Sequence, residues 1–218
     1  MSLIAASELI INNRGAIYHL NARPEEIAPL IITVGDPERV KEVSRHFDKL
    51  EHTLSHREFI THTGYIGNKR LSVISTGIGT DNIDIVLTEL DALVNIDFST
   101  REIKDQLNKL QIIRLGTCGG LQEDIPTDGL IISSFAIGMD NLLRFYAHEN
   151  TGEESNLLAA FRHYMNWNKN DPAAYIASSS AVLSKKFDDS FYKGITITCP
   201  GFYAPQGRKL RASLSYHG

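Results

Sequence analysis

The sequence predicts an α/β fold: a single domain with a central mixed, largely parallel β-sheet flanked by helices. Three observations carry that prediction. Apolar runs of strand character occur at residues 30–34, 71–76 and 112–115, and each empties into a glycine turn. Between the second and third turns, Ile83, Val86, Leu87, Leu90 and Val94 recur at helical spacing. At 218 residues, with no repeat, low-complexity tract or linker, the chain has the length of one domain with a sizeable core.

Along the chain, Leu30-Ile31-Ile32-Thr33-Val34 is rich in β-branched residues and reads as a strand leading into Gly35-Asp36-Pro37-Glu38-Arg39. Residues 59–63 and 69–76 flank Gly64-Tyr65-Ile66-Gly67-Asn68, the signature of a hairpin. The second run ends in Gly77-Ile78-Gly79-Thr80, and a helix over 81–94 follows, with Asp81 or Asn82 as its cap. A polar connector, residues 95–109, precedes the strand Ile112-Ile113-Arg114-Leu115 and the turn Gly116-Thr117-Cys118-Gly119-Gly120. Strand, helix, strand in that order implies a crossover and parallel pairing. Further strands are predicted at 130–135, 174–179 and 194–199. A helix is predicted over 154–167, with Leu157, Leu158, Phe161 and Tyr164 on one side.

Composition narrows the function classes. The chain is 42% hydrophobic and 22% charged, as soluble globular proteins are. Its 22 Lys and Arg against 26 Asp and Glu give a formal charge of -4, which argues against nucleic acid as a partner. No apolar stretch is long enough to span a bilayer, and residues 1–20, which include Asn12, Asn13 and Arg14, lack a signal-peptide core. A cytoplasmic protein with no membrane partner is expected. The two cysteines, Cys118 and Cys199, form no metal-binding spacing and read as reduced packing residues.

The glycine turns point to an anion. Glycine lets backbone N–H groups approach a bound anion, a helix starting just beyond adds its positive end, and arginine supplies a planar fork that matches phosphate oxygens. In a parallel sheet such turns gather at the carboxyl ends of the strands, where ligands bind. Arg39 alone reads equally as a surface residue at a helix start. Arg114 lies in an apolar strand, where an unpaired charge is costly, and answers to a structural salt bridge or to a bound anion. Gly77-Ile78-Gly79 lacks the third glycine of a dinucleotide turn, since position 82 is Asn82, and no turn continues into a Walker lysine. Arg57 and His19 are unremarkable in isolation. The stretch Cys199-Pro200-Gly201-Phe202-Tyr203-Ala204-Pro205-Gln206-Gly207-Arg208 combines an aromatic face, an amide and a guanidinium. Gln both donates and accepts while Arg only donates, which suits the O–C–N–H edge of a planar heterocycle.

Taken together, these segments resemble the nucleoside phosphorylase family, and its uridine phosphorylase branch in particular. The residues that carry the resemblance are Gly35-Asp36-Pro37-Glu38-Arg39-Val40, Ser55-His56-Arg57-Glu58-Phe59, Ser75-Thr76-Gly77-Ile78-Gly79, Arg114-Leu115-Gly116-Thr117-Cys118-Gly119 and Phe202-Tyr203-Ala204-Pro205-Gln206-Gly207-Arg208. The resemblance implies phosphate-dependent cleavage of uridine to uracil and ribose 1-phosphate. Gly35, Arg39, Arg57, Arg114 and Thr117 would hold phosphate, with Arg57 reaching into a neighbouring subunit. His19 would likewise cross the interface, to the ribose 5′-hydroxyl. Phe202, Gln206 and Arg208 would receive the uracil ring, Gln206 and Arg208 as the catalytic pair that stabilises the leaving anion. The implied partners are uridine or a related pyrimidine nucleoside, inorganic phosphate as co-substrate, and identical subunits in a homodimer or larger ring with shared sites. No metal or organic cofactor is implied. A monovalent cation lies near the positions of Glu58 and Ile78 in some relatives, where Asn82 here replaces a small hydroxyl residue. The family pattern also continues past Ser215-Tyr216-His217-Gly218 into a ribose-binding segment, so residues 1–218 are expected to be one domain incomplete at its carboxyl end. The alternatives are a purine nucleoside phosphorylase or a nucleosidase of the same fold, or a noncatalytic nucleoside- or phosphate-binding remnant.

Overall fold

Leu30–Val34 forms β1, the axis on which the first part of the molecule is assembled. The structure is a computed structural model, and it describes residues 3–167 and 173–214. Two compact units divide between Thr117 and Cys118. In the first, β1 is followed by α1 (Glu38–Ser44), β2 (Lys49–His56), β3 (Phe59–Ile66), β4 (Lys69–Ser75), α2 (Thr80–Asn95), β5 (Ile96–Asp97), β6 (Glu102–Ile103) and β7 (Gln111–Leu115). The main sheet has the order β2-β3-β4-β1-β7. β1 pairs in parallel with both β4 and β7, while β2-β3 and β3-β4 are antiparallel, so the sheet is mixed with a parallel core. The fold is α/β, as predicted.

Alternation along the strands explains which helix covers which face. Ile31 and Ile74 are fully buried in a cluster with Val86, Leu90 and Leu93 of α2. Val34 and Val73 pack with Val40 of α1 on a separate cluster. Each such side chain contributes about 1.5–3 kcal/mol by leaving water. The buried stripe of α2 is Val86, Glu89, Leu90 and Leu93. It differs from the predicted one: Leu87 is 46% exposed, and a carboxylate occupies the core-facing position.

Several predicted ends move. The hairpin strand beginning at Phe59 runs to Ile66. β2 was not anticipated, because Lys49-Leu50-Glu51-His52-Thr53-Leu54-Ser55-His56 is a polar edge strand with no apolar run to announce it. The connector 95–109 contains the two-residue hairpin β5-β6, and Arg101 between them donates from Nε to the Ile4 carbonyl (2.9 Å) and from Nη2 to the Leu9 carbonyl. That arginine ties the amino-terminal segment to the connector.

The second unit carries β8 (Ile131–Gly138), α3 (Gly152–Tyr164), β9 (Tyr175–Ser178), α4 (Ala181–Ser184) and β10 (Tyr192–Thr198). Its sheet order is β10-β8-β9, parallel then antiparallel. α3 starts with a reciprocal cap: Thr151 Oγ1 accepts from the Glu154 amide while Glu154 accepts from the Thr151 amide. Glu154 also accepts from the Ser178 amide at 2.7 Å, joining α3 to β9. Those bonds hold its carboxyl well below the ordinary range, at about 2. Tyr175 lies across Gly138, where a Cβ would fall 2.1 Å from the ring, so any larger residue there would have to displace the tyrosine that bonds Asp140. Leu158, Ile137 and Ile176 form the apolar centre of this unit. Among the described residues no helix is long and apolar enough to cross a membrane.

Glu26 anchors the turn that leads into β1. It is 3% exposed and accepts from Arg14 Nη1 (2.8 Å) and Nη2 (2.7 Å) and from the Arg23 amide (2.8 Å). Burial alone would raise its pKa, but these donors outweigh it and bring the carboxyl from 4.5 to about 2. A depressed carboxylate stabilises the fold above the unfolded value and loses that contribution as pH falls toward the folded one. Its size here is on the order of 3 kcal/mol. Glu26→Gln is therefore expected to lower the melting temperature at neutral pH. Thermal unfolding followed by circular dichroism should show the gap to wild type narrowing as pH falls from 4.5 towards about 2; a gap independent of pH would refute the assignment.

Candidate functional site

The in-register pairing of β4, β1 and β7 aligns the ends of three strands. Val34 lies opposite Ser75 on one side and Leu115 on the other, so the turns that follow at Gly35, Gly77 and Gly116 start level with each other. The predicted gathering of glycine turns is therefore present in the first unit. Its helix complement differs: α1 and α2 follow the first two turns, but residues 116–120 lead into no helix. The third turn offers backbone and side chains, not a helix terminus.

Arg114 lies across this row of strand ends. Its Nη1 donates to Thr76 Oγ1 at 3.4 Å. A Cβ on Gly35 would sit 3.6 Å from its Nη2, and one on Gly116 would sit 3.8 Å from its Nε. The guanidinium thus spans from β7 over the end of β1 to β4, and small residues beneath it make room. Thr76, 1% exposed, is held in turn by the Val34 carbonyl through its amide (2.8 Å) and its hydroxyl (3.2 Å). Thr76 stands in the Ser75-Thr76-Gly77-Ile78-Gly79 stretch of the resemblance but was given no role by sequence reasoning, because a strand-end threonine is not conspicuous among apolar neighbours.

Burial, and then the positive charge of Arg39, push the Arg114 pKa down from its ordinary value. Arg39 reaches the same neighbourhood from the first turn of α1, where the Glu38 amide donates to Asp36 Oδ1 at 2.9 Å. Among the described residues neither arginine forms an ion pair. The salt-bridge explanation for Arg114 therefore finds no partner here, and the positive charge of Arg39 acts on it without an ion-paired carboxylate on either side chain. Arg114 is exposed at the end of β7, so its desolvation is partial, and what an anion would chiefly relieve is the repulsion from Arg39. Thr117 follows two residues beyond the end of β7, exposed on the third turn.

His19 and Arg57 come together in a second cluster. Arg57 occupies the tight β2-β3 turn with φ 54, a left-handed conformation unusual for a side chain of its size. Its Nη2 approaches Tyr18 Oη at 3.5 Å and its charge lies 5.8 Å from the Tyr18 ring. Tyr18 stands edge-on to His19 (4.9 Å) and His56 (5.9 Å). His19 Nδ1 bonds Glu89 Oε1 at 2.7 Å, and the Leu20 amide bonds Glu89 Oε2 at 2.8 Å. Glu89 went unnoticed in the sequence because it occupies a helix position where an apolar residue would be expected.

Phe202, Gln206 and Arg208 converge on one loop of the second unit. The amides of Gln206 and Arg208 both donate to the Tyr203 carbonyl, at 3.0 and 2.9 Å. Gly207 takes φ 71 to turn the chain between them. The Arg208 guanidinium lies 4.1 Å from the centre of the Phe202 ring, and Gln206 Nε2 donates to the Gly201 carbonyl at 3.2 Å. The three predicted base-recognition residues are thus neighbours. Elsewhere, Asn82 Nδ2 donates to the Ile78 carbonyl at 3.1 Å, and a Cβ on Gly77 would lie 2.9 Å from Glu58 Cγ. Cys118 is exposed, Cys199 is half-buried with its thiol pKa raised by burial, and no metal-binding group of His, Cys, Asp and Glu occurs among the described residues.

Comparison with known proteins agrees with this geometry. The profile of the Phosphorylase superfamily matches residues 29–217. The uridine phosphorylase of Thermococcus kodakarensis is 28% identical over 194 residues, covering 89% of this chain and 59% of that protein. A DeoD-type purine nucleoside phosphorylase of Thermoanaerobacter sp. is 33% identical over 132 residues, covering 58% of this chain and 50% of that one. Among solved structures, a Trypanosoma brucei nucleoside phosphorylase that shows uridine phosphorylase activity matches with a TM-score of 0.83. It is 31% identical across 93% of this chain and 72% of its own. The chain spans about six tenths or less of the length of these curated relatives. A family match over nearly all of the sequence, and a solved relative sharing close to a third of its residues, meet the glycine turns and their unpaired arginines in one conclusion: the chain belongs to the phosphorylase superfamily.

Proposed function

We propose that the chain acts in phosphate-dependent cleavage of uridine, yielding uracil and ribose 1-phosphate. The observation that carries this reading is the Arg39–Arg114 pair over the glycine turns, two cations with no carboxylate partner. The names of relatives from Thermococcus kodakarensis and Trypanosoma brucei support the choice of uridine. In this reading Gly35, Arg39, Arg114 and Thr117 hold inorganic phosphate. Arg57 contributes to the phosphate site of a neighbouring identical subunit, and His19 meets the ribose 5′-hydroxyl there. Phe202, Gln206 and Arg208 take the uracil ring.

The chemistry divides charge between two places. A phosphate oxygen gives a lone pair to the anomeric carbon as the bond to the uracil nitrogen breaks, its electron pair leaving with the base. Positive charge develops on the sugar and is stabilised by the phosphate dianion. Negative charge spreads into the uracil carbonyls, where Arg208 and Gln206 donate hydrogen bonds. The uracil anion then takes a proton from solvent. One donor aimed at developing charge is typically worth about 2.7–4 kcal/mol. Holding the phosphate against the sugar supplies the entropic part of the rate. The reaction so written calls for no metal or organic cofactor, and it suits nucleoside salvage in the cytoplasm.

A second reading, cleavage of purine nucleosides, is favoured by the DeoD-type relatives. Gln206 and Arg208 argue against it, since together they match an edge that presents carbonyl and imide groups side by side. The direct test is uracil release from uridine with and without phosphate, with inosine as control. Phosphate-dependent release from uridine is expected. Release from inosine alone would establish the purine reading, release without phosphate a nucleosidase, and binding without release a noncatalytic remnant.

Arg208→Ala is expected to lower uridine turnover at least about tenfold with the circular dichroism spectrum unchanged. Undiminished cleavage by that variant would remove the loop from the mechanism. Sharing of sites between subunits is tested by mixing. Arg57→Ala, which removes a residue given to the neighbour, and Arg208→Ala, which removes one kept within the subunit, should each be impaired. Co-assembly should restore part of the activity, because one site of each mixed pair is then complete. Failure of every mixture to exceed its components would refute shared sites.

A further inference from the structure

We propose that Glu89 is a positioning residue for His19, holding the ring proton on Nδ1 so that Nε2 presents a bare lone pair to the ribose 5′-hydroxyl. The hydroxyl half of this inference rests on the role given to His19 under the proposed function. Glu89 lies on the core-facing stripe of α2, 9% exposed, where a carboxylate is costly unless its oxygens are fully engaged. Three N–H groups engage it. The His19 amide lies 3.0 and 3.1 Å from its two oxygens, and the Leu20 amide donates to Oε2 at 2.8 Å. The ring Nδ1 makes the shortest contact, 2.7 Å to Oε1.

The two backbone donors alone would suffice to close the Tyr18-His19-Leu20 turn. The ring contact does something further. A carboxylate accepts only, so Nδ1 must carry the hydrogen, and a neutral imidazole then has its acceptor at Nε2. The rest of the residue is clamped as well. His56 Nδ1 donates to the His19 carbonyl at 3.0 Å, and the Tyr18 ring packs edge-on against both imidazoles. His19 keeps 28% of its side chain exposed, and Nε2 has no hydrogen-bond partner among the described residues. A fixed ring with one open acceptor selects a hydrogen-bond donor such as a hydroxyl.

The test uses the full chain. Long-range proton–nitrogen correlation spectra of the neutral imidazoles should show the Nδ1–H form for His19 in wild type. In Glu89→Gln, which keeps the shape but can turn an NH₂ towards the ring, Nε2–H should gain population. Calorimetry in phosphate-free buffer, where the nucleoside is bound but not cleaved, should show wild type preferring uridine over 5′-deoxyuridine by about tenfold, roughly the worth of one buried hydrogen bond. Glu89→Gln should cut that preference to about twofold or less while leaving 5′-deoxyuridine affinity unchanged, which a general loss of structure would not do. A wild-type His19 in the Nε2–H form overturns the proposal without needing the variant to fold. So does a variant that retains both the Nδ1–H signal and the preference. A wild-type chain with the Nδ1–H signal but no preference between the two nucleosides overturns the hydroxyl half, and with it the ribose role of His19. The Glu89 lock on the ring is then judged by the variant's spectrum alone.

Discussion

The candidate phosphate site depends on a matter of register. Because β4, β1 and β7 pair in parallel with their carboxyl ends level, the Arg114 side chain leaving β7 crosses the end of β1 and meets Thr76 at the end of β4. A shift of one residue in the β1–β7 pairing would turn Arg114 to the opposite face of the sheet and separate it from Gly35, and one in the β1–β4 pairing would turn Thr76 away from it. The apolar alternation of β1 enforces the register, since Ile31 must meet α2 while Val34 meets Val40 of α1. Packing of the core thereby places a charge that the core itself does not need.

The same helix that completes this core also reaches the second cluster. α2 spends most of its buried stripe on Val86, Leu90 and Leu93, yet gives one position to Glu89. That carboxylate receives the backbone and ring of His19 from 70 residues earlier in the chain. Satisfied by three donors, it costs far less than an isolated buried charge, and it converts a mobile histidine into an oriented one. The amino-terminal segment bearing His19 is itself tied down by Arg101, from what looked like a featureless connector.

In the second unit the candidate base-recognition residues sit on a loop, as binding residues often do on a rigid scaffold. Gly207 and the Tyr203 carbonyl fold residues 201–208 tightly enough that Arg208 stacks on Phe202. This arrangement spends little ordering entropy at the moment of binding, because guanidinium and ring are already neighbours. α3 and β9 of the same unit are joined by Glu154, a carboxylate bridging two elements much as Glu26 holds the entry to β1.

The amino-acid sequence by itself determined the α/β class, the three strand-to-glycine transitions, the helix between the second and third, and the residue types fitted to an anion and a heterocycle. Those features are local: strand propensity, helical periodicity and turn chemistry are read over a few neighbours. Edge strand β2 was hidden because its polarity reflects an exposed position that only the sheet order assigns. The roles of Thr76 and Glu89 were hidden for a related reason, since their partners lie 38 and 70 residues away. Only the tertiary structure could decide that Arg114 lacks a carboxylate while His19 has one, because whether a charge is paired depends on which side chains meet in space.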